Sequence, residues 1–195
     1  MEKLTRDDLF SLERYAEERP DFRARAMAHK RERELPLGEN VALYFEDRLT
    51  MQYQVQEMLR VERIFEPTEI DDELGAYNPL IPDGSNWKAT LMLEYPDVAE
   101  RRRQVQQLIG IEKKVWLRVA GFDKVFPVAN EDLDRETGEK TSTVHFLRFE
   151  LTPEMVQAVK EGAAIAAGVD HANYQAEVDP VPEGIRQQLA NDLAA

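Results

Sequence analysis

Tyr53, Gln56, Glu57 and Arg60 recur at spacings of three and four inside a stretch, Met51 to Phe65, that holds neither glycine nor proline. On a helix such spacings put phenol, amide, carboxylate and guanidinium on one face. That set can do acid–base or binding chemistry: Glu57 accepts a proton or a ligand hydrogen bond, Arg60 clamps an anion, and Tyr53 and Gln56 orient the ligand. The plainer account of the same residues is ion pairing between helices, with Glu57, Arg60, Glu62 and Arg63 as the charges.

The three histidines, His29, His145 and His171, form no HxH, HExxH or HxxxH pair, so no element carries two imidazoles. His171 stands in the turn Gly168-Val169-Asp170-His171-Ala172-Asn173-Tyr174, where the adjacent carboxylate can charge it, which makes it a candidate ligand-binding residue and second proton carrier. Asp and Asn are also ordinary turn residues. His145 shares a strand face with Leu147, Phe149 and Leu151 and reads as a hydrogen-bonded core histidine. His29 reads as part of a solvated basic face. No Glu-x-x-His occurs, so a helix-bundle di-iron site is not expected, and a mononuclear His/carboxylate metal site is the weaker third idea. Neither a metal nor a cofactor is assigned.

The elements that must position these groups follow from period and punctuation. Thr5 with Asp8 predicts a first helix, with Leu9, Leu12 and Ala16 inward. Pro20 predicts the start of a second helix, ending near Arg33 before Pro36 and Gly38. This second helix is the basic region of the chain: Arg19, Arg23, Arg25, Lys30, Arg31 and Arg33 stand against Asp21 and Glu32. Arg23, Arg25 and Arg31 are its candidate partner-binding residues. A strand over Val41 to Phe45 precedes the long helix, whose inner seam is Met51, Val55, Met58, Glu62 and Phe65, widened by Leu59. An acidic helix follows, with Glu66, Glu69, Asp71, Asp72 and Glu73 near its start.

Tyr77 to Lys88 reads as a loop that either binds something or packs on the surface. Beyond it the period becomes two: Ala89, Leu91, Leu93 and Tyr95 on one side of a strand, Thr90, Met92 and Glu94 on the other. A helix over Asp97 to Leu108 closes at Gly110. Val115 to Val119 and Val125 to Ala129 form a hairpin candidate about Gly121 to Lys124, with Pro127 marking an edge or bulge. An exposed acidic connection, Asn130 to Ser142 with Thr137-Gly138 inside it, leads to a strand over Thr143 to Leu151. A helix from Pro153, a strand over Ala163 to Val169, a short strand over Tyr174 to Val178 and a terminal helix from Glu183, docked by Ile185, Leu189 and Leu193, complete the chain. The expected class is α+β, with N-terminal helices packed on a largely antiparallel sheet and a C-terminal helix.

The chain has 195 residues, 25 Lys plus Arg against 38 Asp plus Glu, a net charge of −13, and 43% hydrophobic residues. It can bury roughly 70% of its unfolded surface, which argues against wholesale disorder. One domain over 1–195 is expected, helical over about 1–76 and sheet-rich over about 77–195. The acidity argues against coating nucleic acid. The absence of cysteine removes disulfides, thiolate metal sites and thiol catalysis. No phosphate loop GxxxxGK[ST], no GxGxxG after a strand and no GxSxG elbow occurs, which lowers nucleotide hydrolysis, dinucleotide redox and serine esterase chemistry together. No apolar run spans a bilayer and the start, Met1 to Asp8, lacks the apolar stretch of a secretory leader, so a cytoplasmic location is expected.

Four strings, Phe45-Glu46-Asp47-Arg48, Tyr53 to Arg63, Tyr77-Asn78-Pro79-Leu80-Ile81-Pro82 and Gly168-Val169-Asp170-His171, resemble a bacterial family catalogued only as a domain of unknown function, numbered thirty-five hundred one. The likeness covers nearly the whole chain and carries no established catalytic or ligand residue. It implies a setting of small redox operons, with rubrerythrin-like and iron–sulfur oxidoreductase neighbours.

Two functions follow as expectations. The first is a non-catalytic accessory or interaction protein beside cytoplasmic redox enzymes, since a basic helix in an acidic chain can steer a redox or iron–sulfur protein, or a second copy of the chain. The second is a small-molecule-binding protein or enzyme with its pocket between the long helix and the sheet, built from Tyr53, Gln56, Glu57, Arg60 and His171. Neither nucleic acid nor membrane is an expected partner.

Overall fold

Proline at position 20 does not begin a helix: it lies inside one. The structure, a computed structural model, describes residues 2–131 and 140–194. Thr5 and Asp8 do make a reciprocal cap, the Thr5 amide donating to Asp8 Oδ2 at 2.8 Å, but it closes only a 3-10 turn, Arg6–Asp8. The first helix, α1 (Leu12–Arg31), is capped by Ser11, whose hydroxyl accepts from the Arg14 amide, and runs straight through Pro20. A proline there forfeits a backbone hydrogen bond. Burial of Tyr15, Phe22 and Ala26, one helical face, holds the helix together. Phe10, Tyr15, Phe22 and Tyr53 stack into one aromatic cluster, with neighbouring ring centroids 5.7 to 6.3 Å apart.

Next come β1 (Glu34–Pro36), absent from the sequence reading, and β2 (Val41–Glu46). Asp47 caps α2 (Arg48–Glu62): its carboxylate accepts from the Thr50 amide, and Thr50 Oγ1 accepts from the Asp47 amide, both at 2.9 Å. Met51, Val55 and Leu59 are the buried seam of α2. The expected seam stops a turn early because the chain leaves the helix at Arg63, which takes a left-handed conformation, leaving Glu62 and Phe65 in solvent. After α3 (Pro67–Tyr77), Asn78 ties the chain start down, accepting from the Leu4 amide and donating to the Leu4 carbonyl.

The remaining elements are β3 (Asn86–Leu93), α4 (Val98–Gln107) capped by Asp97, β4 (Val115–Val119), β5 (Val128–Ala129), β6 (Val144–Glu150), α5 (Pro153–Lys160), β7 (Ile165–His171), β8 (Tyr174–Val178) and α6 (Glu183–Asn191). Residues 132–139 of the acidic connection lie outside the described residues. The protein is α+β, with helices on two antiparallel sheets, ordered β1-β2-β3-β6-β5 and β4-β7-β8, and a C-terminal helix. The hairpin expected after β4 is reduced to one bridge, Leu117 with Val125; beyond Pro127 the chain crosses to the other sheet, where β5 is an edge strand. Among the described residues no helix is long and apolar enough to cross a membrane.

Register decides what the five-stranded sheet shows on each face. Leu43, Phe45, Ala89, Leu91, Leu147 and Phe149 face β4 and β7 in the main apolar core, together with Ile185 and Leu189 of α6. The alternate residues form cross-strand rows on the other face: Glu46, Lys88 and Arg148; Tyr44, Thr90 and Phe146; Ala42, Met92 and Val144. This second face meets the helical layer, whose own apolar clusters join Leu4, Met51, Val55, Leu59, Leu74 and Ile81, and Tyr15 with Phe22, Ala26 and Tyr53.

Candidate functional site

Between the helices and that second face lies a cleft with two lobes. The first, about 760 Å³, has Met27 and Met51 on the helical side, Glu46, Thr90 and Met92 on the sheet, and Arg23, Lys30 and Arg31 along its mouth. The second, about 870 Å³, is walled by Lys3, Pro79, Lys88, Glu131 and Arg148. Tyr77, Leu80 and Phe146 line both. Three of the four strings that carry the family resemblance therefore meet here, Phe45 and Glu46 from one, Gln54 from the second, and Tyr77 with Leu80 from the third.

Glu46 is the unusual group. Only 7% of it is exposed, and its Oε1 accepts a 2.7 Å hydrogen bond from the Thr90 hydroxyl. Among the described residues no lysine or arginine lies within ion-pairing distance of its carboxylate. A buried carboxylate is costly unless paired, so one that opens on a cavity is suited to a ligand's donor or cation. Arg33 fixes the chain beneath it, donating Nε to the Phe45 carbonyl at 2.9 Å and Nη2 to the Glu46 carbonyl at 3.3 Å. At the mouth Arg23 and Arg31 are exposed and have no ion-pair partner among the described residues. Arg25 is elsewhere, its guanidinium 5.0 Å from the centre of the Phe22 ring.

The four residues of the long helix lie away from both lobes. Glu57 accepts the Tyr15 hydroxyl at 2.6 Å and Arg19 at 2.8 and 2.9 Å. The Arg19 hydrogen bonds are the largest cause holding its carboxyl down at about 2, against burial. Gln56 is fully buried and clasps the Phe10 backbone, Tyr53 packs on Phe22 with Lys30 over its ring, and Arg60 is exposed. His171 is on the three-stranded sheet. Its Nε2 donates to the Ile109 carbonyl at 3.0 Å and its Nδ1 accepts from the Asn173 amide at 3.2 Å, so both nitrogens serve the local fold. His145 is a core residue, bonded to Asn130 and Thr141. No cluster of three His, Cys, Asp or Glu fit to hold a metal is found among the described residues.

His29 is not simply solvated. Its Nε2 meets Asp47 at 2.5 Å, Asp47 meets Arg33 at 3.4 Å, and Arg33 pairs with Asp192 of the last turn. Burial pushes the Asp192 carboxyl up to about 6, Arg33 opposing. The sequence reading missed Glu46, Lys88 and this network. The available signal was a lone charge inside each apolar strand, Glu46 after Leu43-Tyr44-Phe45 and Lys88 before Ala89-Thr90-Leu91.

The sequence model of a family described as protein of unknown function, DUF3501, matches residues 3–193. The chain belongs to this family. A solved relative of this DUF3501 protein is the crystal structure of a novel protein of unknown function from Burkholderia pseudomallei, 46% identical, covering 99% of this chain and 100% of its own, with a TM-score of 0.94. No curated protein matches significantly. The DUF3501 assignment thus carries the fold and leaves the function to the site.

Proposed function

We propose that the protein binds a small zwitterionic organic molecule in the cleft between its helical layer and the five-stranded sheet. The observation that carries this reading is Glu46, a buried carboxylate with a hydroxyl partner and no cation, set in the wall of a cavity. A ligand ammonium or other donor completes Glu46. Its apolar body rests on Met27, Met51, Met92 and Phe146, whose thioethers and ring adapt to varied shapes. Its anionic end meets Arg23 and Arg31, which have no acceptor of their own among the described residues. Tyr53, Gln56, Glu57 and Arg60 are given no ligand role, because Glu57 is already held by Tyr15 and Arg19.

The test is a thermal-shift and calorimetric screen of free amino acids and related amino-carboxylates. At least one is expected to raise the melting temperature, with the effect lost in Glu46→Gln and weakened in Arg31→Glu. A screen without binders, or binding indifferent to Glu46→Gln, defeats the proposal.

A second reading, an accessory protein for a redox partner, draws on the family resemblance and on the exposed, unpaired Arg23 and Arg31. It expects native pull-downs to recover iron–sulfur or related redox proteins, with recovery lost on reversing those two charges. Equal recovery from the charge-reversed protein sinks it.

A further inference from the structure

Lys88 stands in the middle strand of the five-stranded sheet, half-buried, and lines the second lobe of the cleft. Neither row neighbour reaches it: Glu46 turns to the Thr90 hydroxyl, and Arg148 is paired with Glu131 and Glu150. Among the described residues nothing accepts a hydrogen bond from the Lys88 ammonium, and no carboxylate lies within ion-pairing distance. Other lysines of the protein differ. Lys3, on the same lobe, donates to the carbonyls of Asn78 and Ile81, and Lys124 meets Asp170 at 2.7 Å. Burial, and after it Arg148, holds the Lys88 amine below its ordinary range, with Glu131 and Asp83 acting against them.

A half-dry ammonium without an acceptor gains most from an anion, because charge-assisted hydrogen bonds are the strong ones and the surrounding medium screens them less than water does. Two further cations on the same walls, Lys3 and Arg148, favour an anion over a water there. Glu131 limits how much negative charge is welcome. Its carboxylate is on the lobe as well, so a ligand with a single anionic group suits the site better than a polyanion. The remaining walls are apolar or aromatic, Tyr77, Leu80 and Phe146 among them.

We propose that this second lobe binds a small organic anion, a carboxylate or phosphate monoester on an apolar or aromatic body, with the Lys88 ammonium as its direct ligand. The body sits against Tyr77 and Phe146, and the anion supplies the acceptor Lys88 lacks. The proposal rests on Lys88 and not on Glu46, so it stands or falls separately from the ligand of the first lobe.

The experiment is calorimetric titration of the full chain with benzoate, phenyl phosphate, inorganic phosphate and, as the neutral control, benzyl alcohol. Benzoate or phenyl phosphate is expected to bind and benzyl alcohol to fail. Lys88→Gln should weaken binding at least tenfold, Lys88→Arg should retain most of it, and Arg102→Gln, on the exposed side of α4, should leave it unchanged. The stronger of the two aromatic anions identifies whether carboxylate or phosphate is preferred. Reductive methylation of the wild-type protein, mapped by mass, gives a readout independent of variant folding: the bound anion should protect Lys88 and spare exposed lysines such as Lys160. Absence of binding by both aromatic anions, equal binding by Lys88→Gln, equal binding of benzyl alcohol, or unprotected Lys88 at saturation would each overturn the proposal.

Discussion

The Arg19 guanidinium grips the Glu57 carboxylate at two points, Nε to Oε1 at 2.8 Å and Nη2 to Oε2 at 2.9 Å, and so ties α1 to α2. The Tyr15 hydroxyl completes the set at 2.6 Å. Glu57→Gln keeps the shape but removes the charge, and hydrogen bonds to charged groups are worth about 1.5–3 kcal/mol. A loss of roughly that size is expected in urea denaturation. Because Arg19 holds the Glu57 carboxyl at about 2, the folded state stays ionised where the unfolded state takes up a proton. The stabilisation is therefore complete above the ordinary carboxylate range and disappears as the pH falls toward 2. Glu57→Gln should flatten the acid limb of the stability curve; an unchanged limb counts against the role given to this pair.

Asp192 has the opposite sign. Burial keeps its carboxyl protonated up to about 6 in the folded protein, while in the unfolded chain it ionises near its ordinary value. Its contribution is fully present below the unfolded value and is lost as the pH rises through about 6. Asp192 meets Arg33, Arg33 meets Asp47, and Asp47 meets His29, so the carboxyl sits at the inner end of a chain of charged groups. Stability of the wild type relative to Asp192→Asn should fall between about pH 4 and 7, a relative slope that parallel melting curves would reveal. Arg33→Met, which strands Asp47 and Asp192 without their shared cation, should cost about 3–5 kcal/mol.

Much of this architecture was legible because it is local. The run from Met51 without glycine or proline announces α2, the period of Ala89, Leu91 and Leu93 announces β3, and His145 follows the buried face of β6. The site was less legible because its pairings are distant. Glu57 finds Arg19 and Tyr15 at separations of 38 and 42 residues, so no spacing rule reveals that its carboxylate is engaged. Glu46 and Lys88 become row neighbours through strand register, which depends on how β2 and β3 pair, and that pairing brings the buried Glu46 beside Thr90.

Gly168 is required by what lies on top of it. A Cβ there would come within 2.4 Å of Trp116 Cζ2 and 2.6 Å of the Ala176 carbonyl oxygen. One contact is the body of a buried indole and the other is backbone, so neither yields cheaply. Gly168→Ala should destabilise by about 1–3 kcal/mol, the usual range for overpacking. Trp116 fluorescence should shift with it as the ring is displaced, and full stability with an unaltered spectrum would show that β7 and β8 relax more freely than their packing implies.

Pro20 offers a gain instead of a loss. A proline opening a helix and a proline inside one look the same in sequence; here Ser11 caps α1 and Pro20 falls in its interior. In that position the ring removes an N–H and crowds the carbonyl four residues back, that of Ala16, at a cost of about 3 kcal/mol relative to alanine. Tyr15, Phe22 and Ala26 keep the helix whole through their burial. Pro20→Ala should therefore raise stability, by about 1–3 kcal/mol once lost chain stiffness in the unfolded state is deducted. Were Pro20 instead the first residue of a separate helix, where its missing N–H costs nothing, alanine would leave stability unchanged or lower it. Urea midpoints of the two proteins distinguish these cases.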